Sequence, residues 1–252
     1  MSKNLILTQK RARVENIDHP EGLLKCQIRL VGLWDDIEIE SLPWAEYHLP
    51  VGARFNDGDF KPCQVGDYVW VRFDEGDTRF PIITGGCYFA PDKVPNVPHE
   101  LFGGESKYSH QRAKGQPLPS KPSKLDRIST QNNLMIELTH EGAYRVTHKQ
   151  TGTAWEITKD GEIVFHTESN RHDSVLGDMY GKIIGMFKQE VGKDLKFIVK
   201  GNAEFDVSGQ FKVNKASAVK LLDGLGVITG ASACHFTGSP HADMSSKVFA
   251  AK

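Results

Sequence analysis

Residues 197–213 read FIVKGNAEFDVSGQFKV, in which every odd position is apolar or glycine and the even positions from Lys200 onward are polar. An alternation of period two is typical of a β-strand with one buried face. The same face returns every eight residues over 175–213, because eight is a multiple of two. The octad positions are Val175, Ile183, Val191, Val199 and Val207, and Gly177, Gly185, Gly201 and Gly209 follow four of them two residues later.

This repeat predicts a shaft that several chains build together. One octad is too short for a complete coil of a single-chain β-helix, and a strand with one apolar face needs neighbours before it is stable. One octad suits one pass of a strand around a shaft shared by three chains, with the four glycines allowing each turn. We therefore expect a trimeric, intertwined triple-stranded β-helix, or β-prism, over 175–252. Its inward residues would be Val175, Ile183, Val191, Val199, Phe205, Val207, Phe211 and Val213. An ordinary antiparallel meander with tight glycine turns is the alternative.

Residues 174–195 also fit a helix. Val175, Met179 and Ile183 lie at roughly helical spacing, and Gly192 could end such a helix. The glycines inside the segment would each cost about 1 kcal/mol in a helix interior. The octad register also continues through them, so we favour the shaft and regard 186–194 as its least regular part.

Length and composition indicate a folded chain of one or two domains. The chain has 252 residues, 39% of them hydrophobic, and a formal net charge of −1. These values favour neither disorder nor a general affinity for nucleic acid. We expect no membrane span and no signal peptide, since no run has the required length, hydropathy or order of charges. The four scattered cysteines, Cys26, Cys63, Cys87 and Cys234, indicate free thiols and synthesis in a cytoplasm.

Residues 1–95 predict a small barrel. Short alternating runs occur at 24–30, 37–39, 42–47, 69–73 and 81–85, with turn residues between them. Gly66 and Gly76 mark two of these turns. About five strands without helical periodicity suggest an all-β closed barrel of the oligonucleotide/oligosaccharide-binding (OB) fold.

Four ordered motifs in this segment resemble a known family. They are LPWA (42–45), PxxxGD (62–67), VxVxFxxGD (69–77) and PIITG (81–85). Together they look like the barrel domain of phage baseplate spike proteins, the central spikes of contractile tails. These spikes are relatives of the valine–glycine-repeat spikes of type VI secretion. The block at 147–165 is similar to the segment that precedes the shaft in the same family.

The tryptophans of the barrel leave a binding module as an alternative. OB folds bind nucleic acid through stacked aromatic residues on a basic face. Trp34, Trp44 and Trp70 stand among acidic residues instead, which weakens a phosphate-binding interpretation. We expect them to serve as barrel core or subunit contacts.

Residues 96–130 read as a linker rich in proline, glycine, serine and lysine. Some spikes of the resembled family carry a lysozyme domain between barrel and shaft, but this segment is too short for one and offers no catalytic carboxylate pair. His99, Glu100, Glu105 and His110 are expected to be solvated. No catalytic residue is predicted, and we expect the protein not to be an enzyme.

Residues 131–174 predict hairpins that lead into the shaft. Leu134, Ile136 and Leu138 occupy alternate positions, and apolar residues in the strands that follow do the same. Turns are expected at 140–142, 150–152 and 160–161, the last an Asp-Gly pair typical of a hairpin. Three histidines here lack ligand-like spacing and are expected to make surface or interchain polar contacts: His140, His148 and His166.

The C-terminus predicts a metal at the tip of the shaft. If odd positions stay inward past 213, His235 faces the axis and His241 shares its parity. In three chains, two such rings supply six nitrogens, which suits an octahedral iron or another transition metal. Participation of Cys234 would instead favour tetrahedral zinc. The resembled family commonly holds a tip metal with C-terminal histidines, although its usual two histidines stand one residue apart.

The resemblance implies a structural role. The chain would be a homotrimeric central spike of the virion tail baseplate, made in the host cytoplasm. It would cap the tail tube at the baseplate hub and pierce the host outer membrane when the sheath contracts. A separate tip protein is a further partner, and no nucleic acid is expected. A type VI secretion or tailocin spike is the alternative, and a tail-associated cell-wall hydrolase or an OB-fold nucleic-acid or glycan binder are others.

Overall fold

The structure is a computed structural model that describes residues 5–214 and 236–239. The chain divides into two units, Met1–Asp178 and Met179–Lys252. The first unit contains two β-sheets. The described part of the second unit contains neither helix nor strand. A search of the described residues for a helix with the length and hydropathy of a membrane span found none.

Ten strands form the two sheets of the first unit. The first five are β1 (Lys10–Asn16), β2 (Cys26–Leu30), β3 (Trp44–Tyr47), β4 (Tyr68–Phe73) and β5 (Pro81–Gly86). The second five are β6 (Arg127–Gln131), β7 (Leu134–Leu138), β8 (Tyr144–His148), β9 (Ala154–Ile157) and β10 (Ile163–His166). Single turns of 3₁₀ helix occur at Ile39–Ser41, Asp74–Gly76, Pro91–Lys93 and His99–Leu101.

The first five strands form a closed barrel in the order β1-β2-β3-β5-β4. All pairs are antiparallel except β3 with β5, which are parallel. The predicted all-β class and N-terminal OB barrel are therefore confirmed. Ten buried residues fill the barrel: Ala12, Val14, Cys26, Ile28, Leu30, Ala45, Val69, Val71, Phe73 and Ile83.

Two parts of the barrel differ from the sequence prediction. Strand β1 was not predicted, because only Ala12 and Val14 carry its apolar face among charged neighbours. The run at Ile37 and Ile39 is not a strand, since it leads into the 3₁₀ turn Ile39–Ser41. Buried Gln27 fixes that turn by donating to the carbonyl oxygens of Ile39 and Leu42 at 2.9 and 3.0 Å.

The predicted turn at Gly76 is present and needs glycine. Gly76 has φ of 77°, which glycine adopts without steric cost. A Cβ added there would lie 2.9 Å from Leu7 Cδ2. The carbonyl of Gly76 also accepts a hydrogen bond from the Ile6 amide at 3.0 Å, so this turn binds the N-terminal segment to the barrel.

The barrel tryptophans make packing contacts. Trp34 packs partly buried against the barrel core, with its ring 5.9 Å from that of Phe73. Trp44 makes an edge contact with His19, and Arg11 lies over the ring of Trp70.

The last five strands form an antiparallel meander in the order β10-β9-β8-β7-β6. Its predicted turns are present, and Gly142, Gly152 and Gly161 have φ between 82° and 93°. Strand β6 begins at Arg127, inside the segment predicted to be a linker over 96–130. The sheet therefore has one strand more than the hairpins alone predicted.

Candidate functional site

The meander has an apolar face that the single chain leaves open. Ile136, Val146, Trp155 and Phe165 stand opposite one another across β7 to β10. Leu138, Tyr144, Ile157 and Ile163 form a second row beside them. We call these eight residues the apolar face. Five of them are 37% to 62% exposed, and the other three are half-buried.

The opposite face of the same sheet is buried and charged. Glu137, Arg145 and Glu156 stand side by side on β7, β8 and β9, and none exceeds 1% exposure. Arg145 donates to both carboxylate oxygens of Glu137, with Nε at 2.7 Å and Nη2 at 3.0 Å. Its Nη1 donates to Glu156 at 3.4 Å. An arginine between two glutamates gives the row a net negative charge that other groups must balance.

The balancing group, Arg112, comes from residues 99–126, which we call the strap. His110 Nε2 lies 3.0 Å from Glu137 Oε2, and Arg112 pairs with Glu156. Both strap side chains are nearly buried, at 4% and 7% exposure. The strap therefore completes the charge row and covers it from water.

Both ends of the strap are also bound to the sheet. At one end, buried Glu100 accepts from Lys149 Nζ at 2.9 Å and from the Tyr108 amide at 3.0 Å. At the other end, Asp126 accepts from the His140 amide at 2.8 Å. The predicted solvation of Glu100 and His110 is therefore wrong, because both side chains are buried and lie against partners on the sheet side.

The pKa values of the strap contacts follow from these pairs. Burial alone would raise the pKa of Glu137, but its contacts with His110 and Arg145 outweigh burial and lower the pKa to about 2. Burial would also raise the pKa of Glu100, but the hydrogen bond from Lys149 helps to lower it, and the net shift is downward. At Asp126 the hydrogen bonds from His140 lower the pKa against burial. The three carboxylates are therefore charged at neutral pH.

Acid is expected to destabilise the strap and sheet. The pKa of Glu137 falls from its ordinary 4.5 to about 2 on folding. A lowered folded pKa gives stability that is complete above about pH 5 and is lost as pH falls toward 2. The difference corresponds to on the order of 3 kcal/mol. Urea unfolding at pH 7, 4 and 3 should show this loss, and Glu137→Gln should show a flatter pH dependence. Equal pH dependence in both proteins would contradict the assignment.

The octad repeat over 175–213 has no regular secondary structure, and its apolar residues are exposed in the single chain. The residues described there form no helix, so the alternative helix over 174–195 is wrong. They also form no strand, and the triple-stranded β-helix stays a prediction. The eight residues predicted to face its axis are 42% to 79% exposed: Val175, Ile183, Val191, Val199, Phe205, Val207, Phe211 and Val213.

Within that repeat, the octad positions differ from their neighbours. Val175 and Ile183 are 55% and 58% exposed, whereas Leu176 and Ile184 beside them are 104% and 94% exposed. The four predicted turn glycines, Gly177, Gly185, Gly201 and Gly209, have open space where a Cβ would stand, and none has positive φ. Their role in turns stays a prediction.

The predicted tip ligands lie outside the described residues. These are Cys234, His235 and His241, so the iron or zinc site stays a prediction. Between them, the segment 236–239 is described as a turn, with Gly238 at φ of 65°. Among the residues that the structure describes, no three His, Cys, Asp or Glu side chains come together as a metal site.

Comparison with known families confirms the resemblance of the N-terminal segment. Residues 10–88 match the family model described as the type VI secretion system/phage-baseplate injector OB domain. The matched residues span the five strands of the closed barrel. The barrel thus matches the injector OB domain that its four motifs indicated. No curated protein matches the chain significantly.

Sequence reasoning missed the charge row and its strap partners. Glu137, Arg145 and Glu156 lie on the buried face of the sheet. Alternation along a strand shows which residues share a face, but it does not show which face is buried until the covering segment is known. A signal was present, since each strand from β7 to β9 carries one charged residue near its middle. A charged residue at the same depth on three neighbouring strands indicates a cross-strand ion network.

Proposed function

We propose that this protein is the homotrimeric central spike of a contractile phage tail. The observation that carries the proposal is an injector OB barrel followed by a sheet whose apolar face is open. Later in the sequence comes a repeat whose apolar residues are also exposed. A monomer that exposes this much contiguous apolar surface is unusual, and such surfaces mark protein interfaces.

Three copies give both surfaces a partner. Burying the remaining exposed part of each apolar-face side chain contributes on the order of 1 kcal/mol. Eight such side chains per chain give a gain comparable to the ~4–15 kcal/mol that association costs. The octad repeat would add further favourable free energy of association, because its Val and Ile positions meet at one axis. Strands shared between chains would also cover the open edges of β6 and β10.

The proposed mechanism is mechanical. The barrel meets the baseplate hub and closes the tail tube, while the shaft points toward the host. Contraction of the sheath then drives tube and spike through the outer membrane. An intertwined shaft resists bending and fraying because each strand is hydrogen-bonded to other chains. A type VI secretion or tailocin spike would work in the same way, and neighbouring genes would distinguish them.

A metal at the tip completes the proposal. His235 and His241 from three chains provide six imidazole nitrogens, a donor set that fits octahedral iron. If Cys234 takes part, a thiolate with histidines fits zinc. The metal would tie three C-termini together, so that fraying could not begin there.

The mass of the full-length protein in solution tests the proposed function. Native mass spectrometry or sedimentation should give three times the chain mass of 28.1 kDa. A stable monomer at micromolar concentration would exclude the shared shaft. A monomer that degrades cell wall would favour the hydrolase alternative.

Metal analysis of the same trimer is expected to find about one transition metal per three chains. The double variant His235→Ala, His241→Ala should lose it while remaining trimeric. His172→Ala is the matched control, since this exposed histidine lies outside the proposed site. Unchanged metal content in the double variant would show that the tip assignment is wrong.

A further inference from the structure

Two cysteines of the barrel meet at one phenol oxygen. Cys26, at the start of β2, has its Sγ 2.8 Å from Tyr47 Oη. The Cys63 amide donates to the same oxygen at 3.1 Å. Two cysteines that stand 37 residues apart in sequence are thus brought to one phenol oxygen, and both are free thiols in this structure.

The two thiols differ in access and in acidity. Cys26 is 2% exposed, whereas Cys63 is only partly buried. The hydrogen bond with Cys63 lowers the pKa of Cys26 to about 7, against the effect of burial. The same bond raises the pKa of Cys63. The pair therefore combines a reachable thiol with a thiolate that forms readily beside it.

The segment that carries Cys63 is joined to the barrel at few points. It connects β3 to β4 over residues 48–67 and has one internal bridge, Arg54 with Asp57. Phe60 places its ring 4.9 Å from that of Tyr47, and Cys63 packs partly buried against the barrel core. Tyr47 and Cys26 are thus the barrel side of this contact, and Phe60 and Cys63 are the loop side.

We propose that Cys26 and Cys63 are a disulfide-forming pair that fastens the 48–67 loop to strand β2. This inference is independent of the proposed spike function. It identifies a modification site that depends on the redox state of the surroundings, because a chain made in a reducing compartment keeps both thiols.

The reaction needs a small-molecule disulfide as its oxidant. Cys63 Sγ attacks one sulfur of that molecule, loses its proton to solvent and releases one small thiol. Cys63 then carries the other half of the oxidant as a mixed disulfide. Cys26 then loses its proton to solvent and its Sγ attacks Cys63 Sγ, so that the new Cys26–Cys63 bond forms and the second small thiolate leaves. Two protein thiols are oxidised and one oxidant disulfide is reduced to two thiols.

The test treats the full-length protein with oxidised glutathione, blocks the remaining thiols and maps tryptic peptides without reductant. Peptide 26–29 (CQIR) should appear joined to peptide 55–72 (FNDGDFKPCQVGDYVWVR). The number of thiols that react after denaturation should fall from four to two. Four reactive thiols after oxidation, or a link to Cys87, Cys234 or a second chain, would overturn the proposal.

Variants separate the roles of the two thiols. Cys26→Ser should leave glutathione on Cys63, because the attacking thiolate is absent. Cys63→Ser, a change at a partly exposed position, should leave Cys26 unmodified. Cys87→Ser is the control that should retain the link, since Cys87 instead lies near the Tyr88 carbonyl at 3.6 Å. The wild-type peptide map decides the proposal even if a buried cysteine variant fails to fold.

Discussion

Replacing Arg145 with methionine is expected to lower the free energy of unfolding by about 3–5 kcal/mol. Arg145 is fully buried between Glu137 and Glu156 and donates to both. Removal of one partner of a buried pair leaves an uncompensated charge, which is costly in a low-dielectric interior. Here two carboxylates would lose their shared cation. Chemical denaturation at pH 7 and one fixed protein concentration measures the effect.

The matched control for Arg145 is a surface ion pair. Lys25 bonds Glu46 at 2.8 Å, but the two side chains are 30% and 63% exposed. Lys25→Met should therefore cost less than about 1 kcal/mol. The double variant Glu137→Gln, Arg145→Met should cost less than the sum of its single changes, because the two groups interact directly. If Arg145→Met costs no more than Lys25→Met, the charge row does not hold the sheet together.

Ile136→Asp on the apolar face is expected to weaken trimer formation by at least about 100-fold. Ile136 is 39% exposed in one chain, so an aspartate there can stay hydrated while the chain is alone. Association would bring three carboxylates into an apolar contact, which costs several kcal/mol. Sedimentation over a dilution series measures the dissociation constant, and circular dichroism checks that the strands persist.

A charge placed elsewhere on the sheet provides the comparison. Gln150 is exposed in the turn between β8 and β9, outside the apolar face. Gln150→Asp makes the same kind of change and should leave association within a few-fold of wild type. Equal association of Ile136→Asp and Gln150→Asp would show that the apolar face is not the contact surface.

The barrel was predictable because its motifs are local. Turn residues such as Gly66 and Gly76 bound short alternating runs, and four motifs appear in one ordered segment. Strand β1 was not predictable in this way, since Ala12 and Val14 are two small apolar positions among charges. It is identified by its partners, because β1 pairs with β2 on one side and β4 on the other to close the barrel.

The candidate site was predictable only in part. Alternation on β7 identified which residues share a face, but not which face the rest of the chain covers. The answer lies in the strap, where Arg112 supplies the charge that Glu156 needs and His110 places a ring nitrogen beside Glu137. The strap's contact with the sheet could not be predicted from its composition, because segments rich in proline, glycine and serine usually remain solvated. The contact partners lie 27 and 44 residues away along the chain, beyond any local pattern.

The division between a charged inner face and an apolar outer face affects how copies would associate. Each chain balances the charges of its sheet internally, through its own strap. The eight residues left to meet another chain carry no charge. Joining them therefore removes apolar surface from water without stripping water from ions, so ionic strength has little influence on assembly. Such association carries a negative heat-capacity change and weakens on cooling. Cold, rather than salt, is the condition that would separate the chains at this face.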